Sequence, residues 1–183
     1  MIRKNIRIIT VLLSCIVFGS LVANAQEKPD DQLALQYYTD KDYGKAIVLF
    51  EKLLDQNPSL FNYTYYLNCL LEQEEFAKAE KLARKQTKTF PGDPRYQVDL
   101  GYTYIRENQS PKGRKQYDEC IRNIEPDQRK IQELAGAFLS RRETDYAIRA
   151  YQRGKELLGD TYTFGIELAS VFMSTGNYDG MIS

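Results

Sequence analysis

The sequence predicts an all-α fold of stacked antiparallel helix pairs, and three observations carry that expectation. First, the chain repeats itself. Ala46, Ala79, Gly113, Ala147 and Met181 form one column, and Leu33, Tyr66, Leu100, Leu134 and Leu168 form another. Both columns advance by 33 residues once and by 34 thereafter. A period of this length marks one supersecondary unit repeated along the chain. Second, apolar residues inside each copy fall at helical spacing, as with Leu33 and Tyr37, or Ala46, Phe50 and Leu53. Third, Pro58, Pro91 and Pro126 close the first three copies. Proline lacks a backbone donor and disfavours helix in the residue before it.

Composition narrows the function classes. The 183 residues are 43% hydrophobic and 27% charged, with 25 basic and 25 acidic side chains. That balance is globular, and it argues against a broadly basic nucleic-acid binder. Histidine and tryptophan are both absent. A serine–histidine triad, histidine-ligated zinc and a proximal-histidine haem are therefore excluded within this chain. Gly92-Asp93-Pro94 and Gly159-Asp160 read as loops and do not form a phosphate-binding G-x-x-x-x-G-K motif. The reading is of a non-enzyme with no catalytic residues, no metal and no cofactor.

Along the chain, residues 1–25 read as a secretory signal peptide. Arg3, Lys4 and Arg7 precede an uncharged run from Ile8 to Val22, and Ala23-Asn24-Ala25 offers a small-residue cleavage site between Ala25 and Gln26. The run is shorter than the ~20 residues that span a bilayer. Cleavage would leave residues 26–183 with a net charge of −3 and no transmembrane span. The repeat copies are framed at 27–60, 61–93, 94–127, 128–161 and a partial 162–183. Their first helices are expected near 30–40, 61–72, 95–106, 128–140 and 162–174. Their second helices are expected near 43–55, 76–89, 110–123 and 144–157, with a stub from 178. Asp30-Asp31 suits a helix start through the macrodipole. Lys41-Asp42 is a short connection between antiparallel helices. Ser110-Pro111 reads as an N-cap followed by proline at the first helical position.

Within the copies, small residues follow the leucine column at Ala34, Gly101, Ala135 and Ala169, with Leu67 as the exception. Aromatics recur at Tyr37, Tyr104, Phe138 and Phe172 on the first helix, and at Phe50, Tyr117 and Tyr151 on the second; Leu70 and Ala83 deviate. Small residues let backbones approach, and the aromatics fill the remaining volume. These columns resemble the tetratricopeptide repeat family over Glu27 to Ser183. The resemblance implies a right-handed superhelical α-solenoid whose concave face, lined by the first helix of each pair, binds a protein or peptide. It places Tyr38, Tyr65, Asn68, Glu72, Arg95, Asp99, Tyr102, Arg106, Arg129, Gln132 and Glu133 on that face. The family's carboxylate clamp for chaperone tails would need Lys and Asn where this chain has Asp31 and Leu35, so that ligand class is not expected.

Other features have plainer readings. The acidic turns at Asp30-Asp31 and at Glu72, Glu74 and Glu75 read as solvated surface. Cys69 and Cys120 sit on apolar faces of two helices, the first of copy two and the second of copy three, that are not nearest neighbours, which predicts buried free thiols and no disulfide. Lys78, Lys81, Arg84, Lys85 and Lys88 form an outer stripe, read as a solvated face with contact to an anionic surface as the alternative.

The expected function is that of an exported interaction scaffold in the periplasm or on the outer membrane of a Gram-negative bacterium, in envelope or secretion-complex assembly, with peripheral envelope association and no nucleic acid. The alternatives are a cell-surface glycan or small-ligand module, with tyrosines as stacking platforms, and the N-terminal region of a larger protein. The fifth copy matches through Phe172, Gly176 and Tyr178 and then stops, so the chain is expected to continue in a longer repeat protein.

Overall fold

A computed structural model of the chain describes residues 29–160 and 162–176. The described residues form nine helices and no strand: α1 (Asp30–Thr39), α2 (Tyr43–Gln56), α3 (Leu60–Glu72), α4 (Phe76–Thr89), α5 (Pro94–Arg106), α6 (Ser110–Arg122), α7 (Gln128–Ser140), α8 (Thr144–Leu158) and α9 (Gly165–Thr175). The proposed signal segment, the stub expected from residue 178 and the column member Met181 lie outside the described residues.

Local chemistry sets the helix starts. The side chains of Asp42, Ser59, Asp93 and Asp127 accept from backbone N–H groups in the first turns of α2, α3, α5 and α7. Such a cap satisfies one of the donors that a helix N-terminus leaves open. The turn inside each pair repeats in register: Lys41, Glu74, Asn108, Arg142 and Gly176 all have φ between 58° and 70°. Four of these five left-handed positions carry a side chain, which costs backbone energy that only glycine avoids. One α9 boundary differs from expectation. The Asp160 carboxylate accepts from Tyr162 N at 2.8 Å and from Thr163 Oγ1 at 2.6 Å, and Phe164 turns left-handed with φ 66°. This turn replaces the first helical residues, so α9 starts at Gly165 and not at 162.

Packing follows the columns. Helices pair as α1 with α2, α5 with α6 and α7 with α8, while α3 packs on α2, α4 on α5 and α7 on α5. The result is an α-solenoid of stacked antiparallel helix pairs. Ala34, Ala46, Ala79, Leu100, Gly101, Tyr104, Gly113, Leu134, Ala135, Phe138, Ala147, Leu168 and Phe172 are buried, as are Phe50, Tyr117 and Tyr151. Leu33, Tyr37 and Ala169 are half-buried, and Pro58 and Pro91 are exposed between copies. The close approach of α5 and α6 requires two glycines. A Cβ on Gly101 would lie 2.5 Å from Tyr117 Cε1, and one on Gly113 would lie 2.5 Å from the Gly101 carbonyl oxygen.

The second copy breaks the rule and shifts the core. Elsewhere a small residue precedes an aromatic by sixteen positions, as in Ala34/Phe50, Gly101/Tyr117 and Ala135/Tyr151; here Leu67/Ala83 reverses the sizes. Leu67 packs into the N-terminal apolar cluster with Phe50, Tyr63 and Leu70. Ala83 instead joins Leu100 and Tyr104 of the next copy. The larger C-terminal cluster begins at Val98 and runs to Phe172, and half-buried Tyr102 touches both large clusters. The core is thus divided near α5, and the two halves meet at Tyr102.

Cys69 and Cys120 are buried free thiols, one in each large cluster. Burial pushes each thiol up to about 12.

Candidate interaction face

The odd-numbered helices bring most of the expected face residues together. At its N-terminal end is an aromatic group. The Tyr38 and Tyr65 rings meet edge-on with centroids 4.8 Å apart, Tyr65 stacks on Phe50 at 5.3 Å, and Phe61 lies 4.7 Å away. Edge-to-face and offset contacts of this kind suit the ring quadrupoles.

A polar network spans the centre. Arg141, the residue that ends α7, donates through Nε to Asp99 Oδ1 at 2.6 Å and through Nη1 to Asn68 Oδ1 at 2.7 Å. One guanidinium thereby links the second, third and fourth copies. Both side chains of the ion pair are 10% exposed. Burial opposes charge on Arg141, but the Asp99 carboxylate outweighs it and raises the guanidinium pKa. The Arg141 guanidinium also lies 5.1 Å from the Tyr102 ring centroid, within cation–π range. Beneath the network, burial and then the Asp99 charge hold the Tyr63 phenol well above its ordinary pKa. The Tyr63 hydroxyl has no hydrogen bond of good geometry.

Beyond the network, Arg106 donates to Glu72 Oε1 and to the Leu71 carbonyl, each at 3.2 Å. Its guanidinium also approaches Tyr102, 5.9 Å from the ring centroid. The remaining expected residues sit apart from this centre. Arg95 is held by Asp93. Gln132 donates to Glu167 at 2.8 Å, bridging α7 to α9. Arg129 lies 3.9 Å from Glu133 and is largely exposed, and Lys130 Nζ reaches the Gly92 carbonyl at 2.7 Å. Asp99 lies in the expected set but is buried and committed to Arg141, so it organises the face without being open to a ligand.

Sequence reasoning missed Arg141, the residue that joins the network. A signal was present. Its repeat equivalents are Asp40, Gln73, Glu107 and Thr175, so Arg141 is a cation in a column of acidic or neutral residues.

The described residues contain no group of three or more cysteine, aspartate or glutamate side chains placed to hold a metal ion. No described helix is long and apolar enough to cross a membrane.

The fold defines a class of protein, an all-α stack of antiparallel helix pairs. Residues 37–100 match the family model described as tetratricopeptide repeat. Among solved structures it is similar to MamA, residues 41 to the end, from Desulfovibrio magneticus RS-1. That match has 18% identity over 72% of this chain and 77% of the other, with a TM-score of 0.42. It is also similar to TTC0263, a thermophilic tetratricopeptide-repeat protein of Thermus thermophilus. Here identity is 17% over 82% of this chain and 83% of the other, with a TM-score of 0.44. No curated protein matches the chain.

Proposed function

We propose that this protein is a non-enzymatic scaffold that holds a protein or peptide segment along its odd-numbered helices. The observation that carries the reading is the Asn68–Arg141–Asp99 network. It fixes three copies at one relative geometry and leaves Tyr38, Tyr65, Tyr102 and Arg106 half-buried along one side. Half-buried tyrosine and arginine on a rigid frame are the side chains that dominate binding energy at protein interfaces. Preorganisation lowers the ordering cost of association.

The export pattern of residues 1–25 supports placing the scaffold outside the cytoplasm, in the envelope of a Gram-negative bacterium, where it would serve assembly of an envelope or secretion complex. The glycan alternative is disfavoured by ring access. A sugar stacks on a free ring face, but Phe50 is stacked on Tyr65, and Arg141 and Arg106 lie 5.1 and 5.9 Å from the Tyr102 ring centroid.

The test is a photo-reactive residue placed at position 102, with a second placed at the outer position Lys115, in the native cell. The reading predicts a discrete protein adduct from position 102 and none from position 115. Equal labelling from both positions, or none from 102, would contradict it.

A further inference from the structure

The second helix of the second copy carries a charge pattern that the groove does not use. Over Phe76–Thr89 there are five cations and one acid. Lys78, Lys81, Lys85 and Lys88 advance by three, four and three residues, which places them on one stripe of α4 about 15 Å long at 1.5 Å per residue. The opposite side holds the buried Ala79, Leu82, Ala83 and Gln86. The stripe therefore faces away from the core, on an even-numbered helix and not on the interaction face.

The partners of these cations divide them. Lys78 is paired with Glu75, and Arg84 with Glu80. Lys81, Lys85 and Lys88 are exposed and make no ion pair among the described residues. Glu80, the acid on this helix, is occupied. It binds Arg84 at 2.7 Å, accepts from the Tyr104 hydroxyl at 2.9 Å and has Lys112 of α6 at 3.9 Å. On the other flank, Glu51 and Asp55 line a groove with Lys81 and Lys85; Glu51 accepts from the Tyr66 hydroxyl at 2.9 Å, and neither acid is within ion-pair distance of those lysines. Lys112 extends the positive surface onto α6, its ammonium 3.7 Å from the Tyr104 ring centroid.

We infer that this stripe docks the protein on the surface of an anionic phospholipid bilayer. Recognition of a defined carboxylate or phosphate in a protein segment favours the planar two-pronged arginine guanidinium. Arg84 is the arginine of this helix, and it is held by Glu80 and Tyr104. What stays free is three lysine point charges on flexible stems along the exposed side of α4. That arrangement suits a delocalised negative field, where each lysine near the surface contributes on the order of 1 kcal/mol. Docking through α4 leaves the odd-numbered helices open, so the inference stands or falls independently of the scaffold reading.

The test is flotation of the chain from Gln26, which carries every described helix, with vesicles. Phosphatidylcholine alone is compared with phosphatidylcholine containing phosphatidylglycerol. Binding is expected only with the anionic vesicles, and it should disappear as salt rises from about 0.1 M to about 0.5 M through screening. Replacing Lys81, Lys85 and Lys88 together by Gln should lower partition about 100-fold with an unchanged melting temperature. Replacing the same three by Arg should retain it. Undiminished binding by the Gln variant would overturn the inference. So would equal binding to neutral vesicles, or capture by soluble polyglutamate with no binding to anionic vesicles.

Discussion

Arg141 and Asp99 are 42 residues apart in the chain and 2.6 Å apart in the fold. The pair lies near the division between the two apolar clusters, and the same guanidinium reaches back to Asn68. Solenoid repeats mainly contact their neighbours, and among the described residues the other hydrogen bond that skips a copy, Lys130 to the Gly92 carbonyl, is made at a loop. The Arg141 network links copies two, three and four, so it sets the geometry of the face at the place where the hydrophobic core does not.

Removing one member should therefore cost more than a surface ion pair does. Arg141→Met leaves the Asp99 carboxylate buried without a counter-charge and should destabilise the fold by about 3–5 kcal/mol. Asp99→Leu combined with Arg141→Met should recover most of that loss, because an apolar replacement removes the uncompensated charge. Urea unfolding of the two single variants and the double variant measures the coupling. Additive losses would show that the two groups do not act as a pair.

The glycines give a contrast within one fold. Gly101→Ala drives a Cβ into the fully buried Tyr117 ring and should cost about 1–3 kcal/mol from overpacking. Gly136→Ala meets nothing within 4 Å on an exposed side of α7. It should stabilise by about 0.5–1 kcal/mol through helix propensity. Thermal melting of the two variants should move in opposite directions.

The two thiols supply a pH dependence. Both are raised from 9.0 to about 12, chiefly by burial. In the unfolded chain they ionise near the ordinary value, so between about pH 9 and 12 the unfolded state binds fewer protons than the fold. Stability must then fall as pH rises through that window. At pH 8 the folded chain from Gln26 should react slowly with a thiol reagent and release two equivalents on unfolding. Fast reaction of either thiol in the fold would contradict their burial.

Much of the fold was legible because repetition supplies internal controls. Each column recurs several times, and the helix boundaries agree with the columns to within a residue or two except at α9. The expected Ser110 cap is not made, because Ser110 is the first residue of α6 and Gln109 precedes it without a side-chain cap. The α9 exception came from Asp160, whose side chain binds Tyr162 N and Thr163 Oγ1 and turns the chain where periodicity alone continued a helix. The face was legible in part. Tyr38, Tyr65, Asn68, Tyr102 and Arg106 are placed on one face by the family resemblance together with helical register. The network follows from Arg141, a turn residue whose partner is 42 positions away, and a 34-residue period does not encode such a contact. The reversed Leu67/Ala83 sizes were visible as deviations, but their consequence, an Ala83 that joins the next copy, needs the packed structure.

Amide hydrogen exchange with the captured partner tests the scaffold reading most directly. The account predicts slowed exchange in α3, α5 and α7, strongest around Asn68, Tyr102 and Arg141, with α4 and α6 unchanged. Protection confined to α4 and α6, with the odd-numbered helices unaffected, would contradict it.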